Sequence, residues 1–327
     1  MSEEPLYIRP VHDVVADPVD LPLYVENPYL DEALPSARVP NLGHAILFVS
    51  FSGLLLFLSQ LIALSLSHDV SKGAQMLVQP KRELASMAAT YLVALASCFL
   101  VFPLFWQRGF LAGIEWRGAK AARLSVRLVS LGLSVGWCVQ ALSSFIPMPK
   151  SIPMDDFFRT PSDVWLVTLF GTLLAPLFEE VAFRGFLLPA FTIAFDWLGP
   201  MLRYVAAFSS ARLRGRELPM HAVVFHEAPA AGLEPGTGNI YYRSRTSKII
   251  ASVLTSLLFA RLHADQLGHA WAAVGILFGV SLMLSVIRIQ TRSLACSTIV
   301  HMSYNLSVFV TLFLATGGYR HLDKIGR

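Results

Sequence analysis

Long apolar runs separated by short polar segments dominate the sequence from residue 43 onward. A helix needs about 20 apolar residues to cross the roughly 30 Å hydrocarbon core of a bilayer. The pattern therefore predicts an all-α, polytopic membrane bundle of seven to eight transmembrane helices. The predicted spans are Gly43 to Ser67, Leu84 to Trp106, Leu124 to Ile146, a run that opens at Val164, Phe186 to Phe208, Ile249 to Leu262, Ala270 to Ile289, and Leu294 to Thr316.

Polar segments divide the chain into parts. Residues 1–42 are acidic and proline-rich and predict a soluble tail, because they do not show the basic start and apolar run of a signal peptide. Residues 43–150 predict the N-terminal transmembrane helices, residues 151–317 a helical core, and residues 318–327 a short C-terminal tail. A hydrophilic insertion at about 209–248 interrupts the core, and within it His221 to Phe225 fits a short strand.

Composition supports a membrane location. Hydrophobic residues make up 54% of the chain and charged residues 15%, whereas soluble domains carry about 25% charged residues. The chain is therefore predicted to be an integral, multi-pass protein whose apolar surface faces the lipid bilayer. The net charge of +4 is spread along the loops, which suits anionic headgroups and argues against nucleic acid as a partner.

Two adjacent carboxylates, Glu179 and Glu180, end the apolar run that opens at Val164. Ionisable groups in membrane spans are costly, so they indicate functional sites. On a helix, Glu180 and Arg184 are four residues apart and share a face, which predicts an ion pair that braces the structure. Glu179 points about 100° away and has no such local partner, so it suits a general base. The alternative is a charge cluster at the membrane surface.

Two histidines and an amide follow in later apolar runs. His263 closes one run, four residues after Phe259, while His301 and Asn305 share a helical face well inside the last run. These polar groups would be costly against lipid, so they should face protein or a cavity. The alternatives are an interfacial position for His263 and a helix-packing role for His301 and Asn305, since His and Asn form hydrogen bonds between membrane helices.

Together these groups suit the hydrolysis of a peptide bond. Glu179 would take a proton from water and His263 would orient that water. His301 and Asn305 would stabilise the developing oxyanion, where one donor is typically worth roughly 10²–10³ in rate. In a second reading, His263, His301 and Glu179 ligate Zn²⁺, which accepts imidazole and carboxylate ligands. The residues are compatible with zinc and with a metal-free mechanism.

The three spacings resemble those of one family of membrane proteins. Glu179, Glu180 and Arg184 resemble the Glu-Glu-x-x-x-Arg motif of the CPBP family, which includes the type II CAAX prenyl endopeptidases and the bacteriocin-immunity-like Abi proteins. The other two motifs, Phe-x-x-x-His and His-x-x-x-Asn, are matched in the family's order by Phe259 and His263 and by His301 and Asn305. The resemblance covers roughly Val164 to Thr316.

The resemblance implies a fold and an activity. The fold would be a helical bundle around a polar cavity, with residues 151–317 as the catalytic core. The activity would be endoproteolysis within the membrane, which in the prenyl proteases acts on a lipid-modified C-terminal peptide. The implied site residues are Glu179, Glu180, Arg184, His263, His301 and Asn305. The insertion at about 209–248 and Arg261, which lies inside the second motif, depart from the family pattern.

Two other classes of function use the same residues differently. A non-enzymatic membrane partner or immunity-type protein would use the polar cluster for helix packing. A transporter would use buried Glu and His residues as a proton relay, although no internal repeat of the kind often seen in transporters is evident. An intramembrane peptidase acting on a membrane-associated substrate is the reading that uses all three motifs.

Overall fold

The computed structural model describes residues 40–65, 80–146, 149, 152–213 and 245–324. The predicted tail at 1–42 lies almost wholly outside these residues, as do most of the insertion and the strand predicted at 221–225. Within the described residues the secondary structure is helix and turn, without a strand. The α-helices are α1 (Leu42–Ser65), α2 (Pro80–Trp106), α3 (Phe110–Gly113), α4 (Gly118–Arg123), α5 (Ser125–Ser143), α6 (Pro161–Leu169), α7 (Ala175–Glu180), α8 (Leu188–Leu213), α9 (Arg245–His263), α10 (Trp271–Thr291) and α11 (Leu294–Ala315).

Two π-helical segments join α6, α7 and α8 into one continuous helical stretch. They are Phe170–Leu174 and Val181–Leu187, and the backbone stays right-handed helical at each junction. Pro176 has no N–H to donate and its ring disfavours a regular turn before it. The first π segment widens the helix just ahead of this proline, and so the chain continues without a break. The runs predicted from Val164 and over 186–208 are therefore one element.

Six helical stretches of the described residues are long and apolar enough to cross a membrane. The fourth of these, Pro161–Gly199, contains both predicted runs. The predicted span at 249–262 forms α9 but is not among the six. Charged residues lie near the ends of α9, and its buried face includes the hydroxyls of Ser252, Thr255 and Ser256. The helical membrane bundle is confirmed, while the count of seven to eight spans is not.

Two packed clusters hold the described helices together. Aromatic rings from α1, α2, α3 and the second π segment form the first, in which Phe48 stacks on Phe186 with ring centroids 4.6 Å apart. The second joins α5, α10 and α11 around Leu284 and Val300. Many large apolar side chains outside these clusters are exposed, as expected of a surface that faces lipid.

Glycines on α5 let α11 approach closely. A Cβ atom added to Gly132 would lie 2.5 Å from the backbone oxygen of Val300, and one added to Gly136 would overlap Ser307. Small residues at such crossings allow helix backbones in membranes to come into contact. Val300 precedes His301, so this contact fixes the helix that carries one of the predicted site residues.

Candidate active site

The short helix α7 presents Glu179 and Glu180 between the two π segments. Single π turns in helices occur frequently at functional sites because they shift the register of side chains. Glu180 is completely buried, whereas the side chain of Glu179 is 18% exposed. The two neighbouring carboxylates therefore occupy different surroundings.

Glu180 belongs to a buried polar network that joins three helical elements. One of its oxygens, Oε1, accepts a hydrogen bond from Arg184 Nη1 at 2.9 Å. The same oxygen lies 3.0 Å from His301 Nδ1. Arg184 also donates from Nη2 to the backbone oxygen of Ser281 at 2.8 Å and to its hydroxyl at 2.6 Å. The predicted ion pair is thus present, and it connects α10 to α11.

Glu179 lies between the two histidines. Its Oε1 atom is 3.9 Å from His263 Nε2, and its Oε2 atom is 3.7 Å from His301 Nε2. Since Arg184 already pairs with Glu180, Glu179 is the carboxylate of this cluster without a cation in direct contact. His263 is 21% exposed and His301 only 4%. Molecules outside the protein can therefore reach the site at Glu179 and His263.

Hydrogen bonds at the Nδ1 atoms fix the orientation of both rings. His263 Nδ1 lies 2.8 Å from the backbone oxygen of Phe259. A carbonyl oxygen only accepts, so Nδ1 carries the proton there. His301 Nδ1 faces the carboxylate of Glu180, which also accepts. Each neutral ring then presents the lone pair of Nε2 towards Glu179.

Asn305 lies one turn beyond His301 on α11 and contacts a different partner. Its amide nitrogen donates to the backbone oxygen of Gly171, in the first π segment, at 2.7 Å. Glu179, Glu180, Arg184, His263 and His301 form one connected set, and Asn305 ties the same helix to the chain that precedes α7. One N–H of the amide group is used in this bond and the second remains for another acceptor.

A zinc site was one of the two readings of these residues. Glu179, His263 and His301 offer oxygen and nitrogen donors that zinc accepts. Among the residues that the structure describes, however, no group of three His, Cys, Asp or Glu side chains is placed to hold a metal ion. Zinc binding by these residues stays a prediction, and no chemical step below is assigned to a metal ion.

Three contacts of the site residues, two of them with backbone atoms only, could not be found from the sequence. Ser281 holds Arg184, Gly171 accepts from Asn305, and the backbone of Phe259 orients His263. Serine and glycine are common in membrane helices, and a backbone oxygen leaves no trace in a sequence. Phe259 gave a partial signal, because its ring packs at 4.4 Å from the ring of His263, one turn away. Arg261, by contrast, is exposed and lies 3.8 Å from Asp265.

Residues 161–307 match the family model of the Rce1-like type II CAAX prenyl endopeptidases. The match contains the three motifs and the whole network described above. This part of the chain is therefore similar to the Rce1-like family. No curated protein and no solved structure matched the chain.

The similarity to the Rce1-like family agrees with the helices of the structure. The family consists of membrane-embedded proteases, and the chain is an integral membrane protein whose six apolar stretches are long enough to span a bilayer. The Rce1-like segment begins at α6, so α1 to α5 lie outside it. The similarity is to proteases of the CAAX type and covers less than half of the chain.

Proposed function

We propose that this chain is an intramembrane endopeptidase in which Glu179 activates the attacking water. The observation that carries the proposal is the position of Glu179 between the Nε2 atoms of His263 and His301, at 3.9 and 3.7 Å. We assign this role to Glu179 and not to Glu180, because Glu180 is completely buried and its Oε1 atom already contacts Arg184 and His301.

Activation of water needs a base that water can reach. Glu179 meets this condition because it is partly exposed, and a positioned carboxylate base is worth roughly 10²–10⁴ in rate. A water molecule beside Glu179 can donate one hydrogen to the carboxylate and the other to the Nε2 lone pair of His263. Its oxygen lone pair then points away from both groups, towards the substrate.

Attack on the scissile carbonyl creates an oxyanion that needs donors. The second N–H of Asn305 is one candidate. His301 is another in its imidazolium form, with a proton taken up from solvent before the attack, because Nε2–H can then donate while Nδ1–H is held by Glu180. Donors placed in advance stabilise developing charge strongly in a site of low dielectric constant.

The proton balance closes within the site. Water loses a proton to Glu179 as its oxygen bonds to the carbonyl carbon. The tetrahedral intermediate then collapses, the C–N bond breaks, and the departing nitrogen takes the proton from Glu179. Glu179 returns to its carboxylate form, and the products are a carboxylic acid and an amine; the acid then loses its proton to the amine or to solvent.

The substrate class follows from the family description. A type II CAAX prenyl endopeptidase cleaves near the C-terminus of a lipid-modified protein, and we infer such a substrate for this chain. The test is incubation of the purified full chain in nanodiscs with matched farnesylated and unmodified peptides that end in a CAAX sequence, followed by mass spectrometry. Release of the last three residues from the farnesylated peptide alone is expected. No cleavage of either peptide contradicts the proposal.

The zinc alternative is tested on the same preparation. Cleavage is measured before and after treatment with 1,10-phenanthroline, and the metal content of the purified protein is determined by mass spectrometry. A mechanism that uses protein side chains without a metal ion predicts full activity after chelation. Loss of activity that added Zn²⁺ restores would assign His263, His301 and Glu179 to the metal instead.

Helix packing is the second candidate function, and one observation favours it. The network of Glu180, Arg184, Ser281 and His301 is buried and connects helices without involving Glu179 in any hydrogen bond below 3.5 Å. A non-enzymatic membrane partner would need this network and not the partly exposed carboxylate of Glu179. The two functions therefore differ in what a change at Glu179 does.

A further inference from the structure

A second acid–arginine pair, Glu115 and Arg288, contacts the same two helices, α10 and α11, as the pair of Glu180 and Arg184. Glu115 lies in the turn between α3 and α4, and its Oε2 atom is 2.7 Å from Nη1 of Arg288 on α10. The backbone oxygen of Glu115 also accepts from the amide of Leu294, the first residue of α11, at 3.1 Å. A single residue thus ties the end of α10 to the start of α11.

The two contacts of Glu115 have the same helical relation to the site. Ser281 precedes Arg288 by seven residues on α10, and His301 follows Leu294 by seven residues on α11. Seven residues make nearly two turns, a rise of about 10.5 Å, and return to almost the same helix face. Glu115 therefore joins α10 and α11 two turns from the level at which Arg184 and Glu180 join them.

The backbone around Glu115 is adapted to this double contact. Glu115 has a φ angle of 54°, which is uncommon for a residue other than glycine. Arg288 Nη2 donates to the oxygen of Ile114 at 3.3 Å, and Lys120 Nζ donates to the oxygen of Thr291 at 2.6 Å. Ser293 Oγ also donates to the oxygen of Arg117 at 3.3 Å. Five contacts thus bind residues 114–120 to the end of α10 and the start of α11.

The same turn also packs against the residue that follows Arg184. A Cβ atom added to Gly185 would lie 3.3 Å from Leu294 and 3.7 Å from Ile114. Ile114 and Leu294 are both buried, with 1% and 0% of their surfaces exposed. Movement of residues 114–116 would therefore displace Gly185, which follows Arg184, and Leu294, which begins the helix that carries His301.

We propose that Glu115 is a positioning residue of the site, which sets the spacing of α10 and α11 and with it the contact between Glu180 and His301. The proposal rests on the proposed peptidase function for its kinetic consequence. Glu115 lies outside residues 161–307, so the Rce1-like segment would depend on a residue of the preceding part of the chain. Displacements of about 1 Å at a distance from the chemistry can cost roughly 10²-fold in rate.

The kinetic test compares Glu115→Ala with Glu115→Gln. The alanine variant should lower kcat per folded molecule by roughly tenfold or more, with KM within about twofold of the wild type. The glutamine variant should keep most of kcat, because its amide oxygen still accepts from Arg288. Asp156→Ala is the matched control, since it removes an exposed acid–arginine pair with Arg159, and it should keep the wild-type kcat. A merely structural role predicts less folded protein with an unchanged kcat, and that result overturns the proposal.

A second measurement does not depend on peptidase activity. Hydrogen exchange of the full chain in nanodiscs should be several-fold faster for residues 294–301 in Glu115→Ala than in the wild type, with no change for residues 306–315. Unchanged exchange at 294–301 overturns the positioning role. A wild type that cleaves neither CAAX peptide, combined with the expected change in exchange, refutes the proposed function and leaves the link between α10 and α11 standing.

Discussion

Glu180 contacts His301 through the carboxylate oxygen that also accepts from Arg184, with the Oε1 and Nδ1 atoms 3.0 Å apart. The adjacent residue, Glu179, approaches the opposite nitrogen of the same imidazole at 3.7 Å. The His301 ring thus lies between two carboxylates that follow one another in the chain. Of these two carboxylates, Glu180 is the one paired with a cation in direct contact, Arg184. We therefore propose a structural role for Glu180 and a chemical role for Glu179.

Removal of Glu180 should destabilise the folded protein. The Glu180→Ala variant leaves Arg184 completely buried without its carboxylate partner, and breaking a buried pair in this way costs about 3–5 kcal/mol. Thermal unfolding in detergent should show a clear decrease in Tm. The Asp156→Ala control removes an exposed pair and should change Tm little. Equal Tm values for Glu180→Ala and the control would contradict the structural role.

Asn305 tests the oxyanion assignment. The Asn305→Ala variant should lower kcat by roughly 10²–10³ if its amide stabilises the oxyanion, while the lost bond to Gly171 should cost only about 0.5–1.5 kcal/mol of stability. Gln140→Ala is the matched control, because this amide bonds Ser307 of the same helix at 3.2 Å and lies outside the site. A similar loss of stability with normal kcat in both variants would make Asn305 a packing residue.

Much of the site was predictable because it depends on helical spacing. The four-residue interval between Glu180 and Arg184 determined their pairing, and the same interval put His301 and Asn305 on one face. The contacts of Ser281 with Arg184 and of Gly171 with Asn305 were not predictable. They join residues far apart in the sequence, and their partners include backbone atoms that any residue type provides.

The helices were predictable from apolar length, whereas their boundaries depended on packing. The sequence predicted one run that opens at Val164 and ends at Glu179 and Glu180, and a second over 186–208, but π-helical turns keep the chain continuous between them. The apolar run at 249–262 formed α9 with a buried face of hydroxyl side chains, which hydropathy alone does not separate from a lipid-facing helix. Local pattern determines that a helix forms, and tertiary contacts determine where it continues.

The close crossing of α5 and α11 provides a test of the fold. In Gly132→Ala, the new methyl group would lie 2.5 Å from the oxygen of Val300, and overpacking of this kind typically costs about 1–3 kcal/mol. A decrease in Tm is expected, together with weaker cleavage because His301 follows Val300. Gly275→Ala is the control, since that helical position has open space around it, and its Tm should not fall. Equal behaviour of the two variants would rule out the tight crossing.

The central claim is that Glu179 is the base, and the most direct test is the kcat of Glu179→Gln for a farnesylated CAAX peptide in nanodiscs. The amide keeps the size of the side chain but cannot accept the proton of water. The account predicts a loss of roughly 10²–10⁴ in kcat with a Tm close to that of the wild type, while Glu83→Gln, at the start of α2, retains full activity. Normal cleavage by Glu179→Gln would contradict the account.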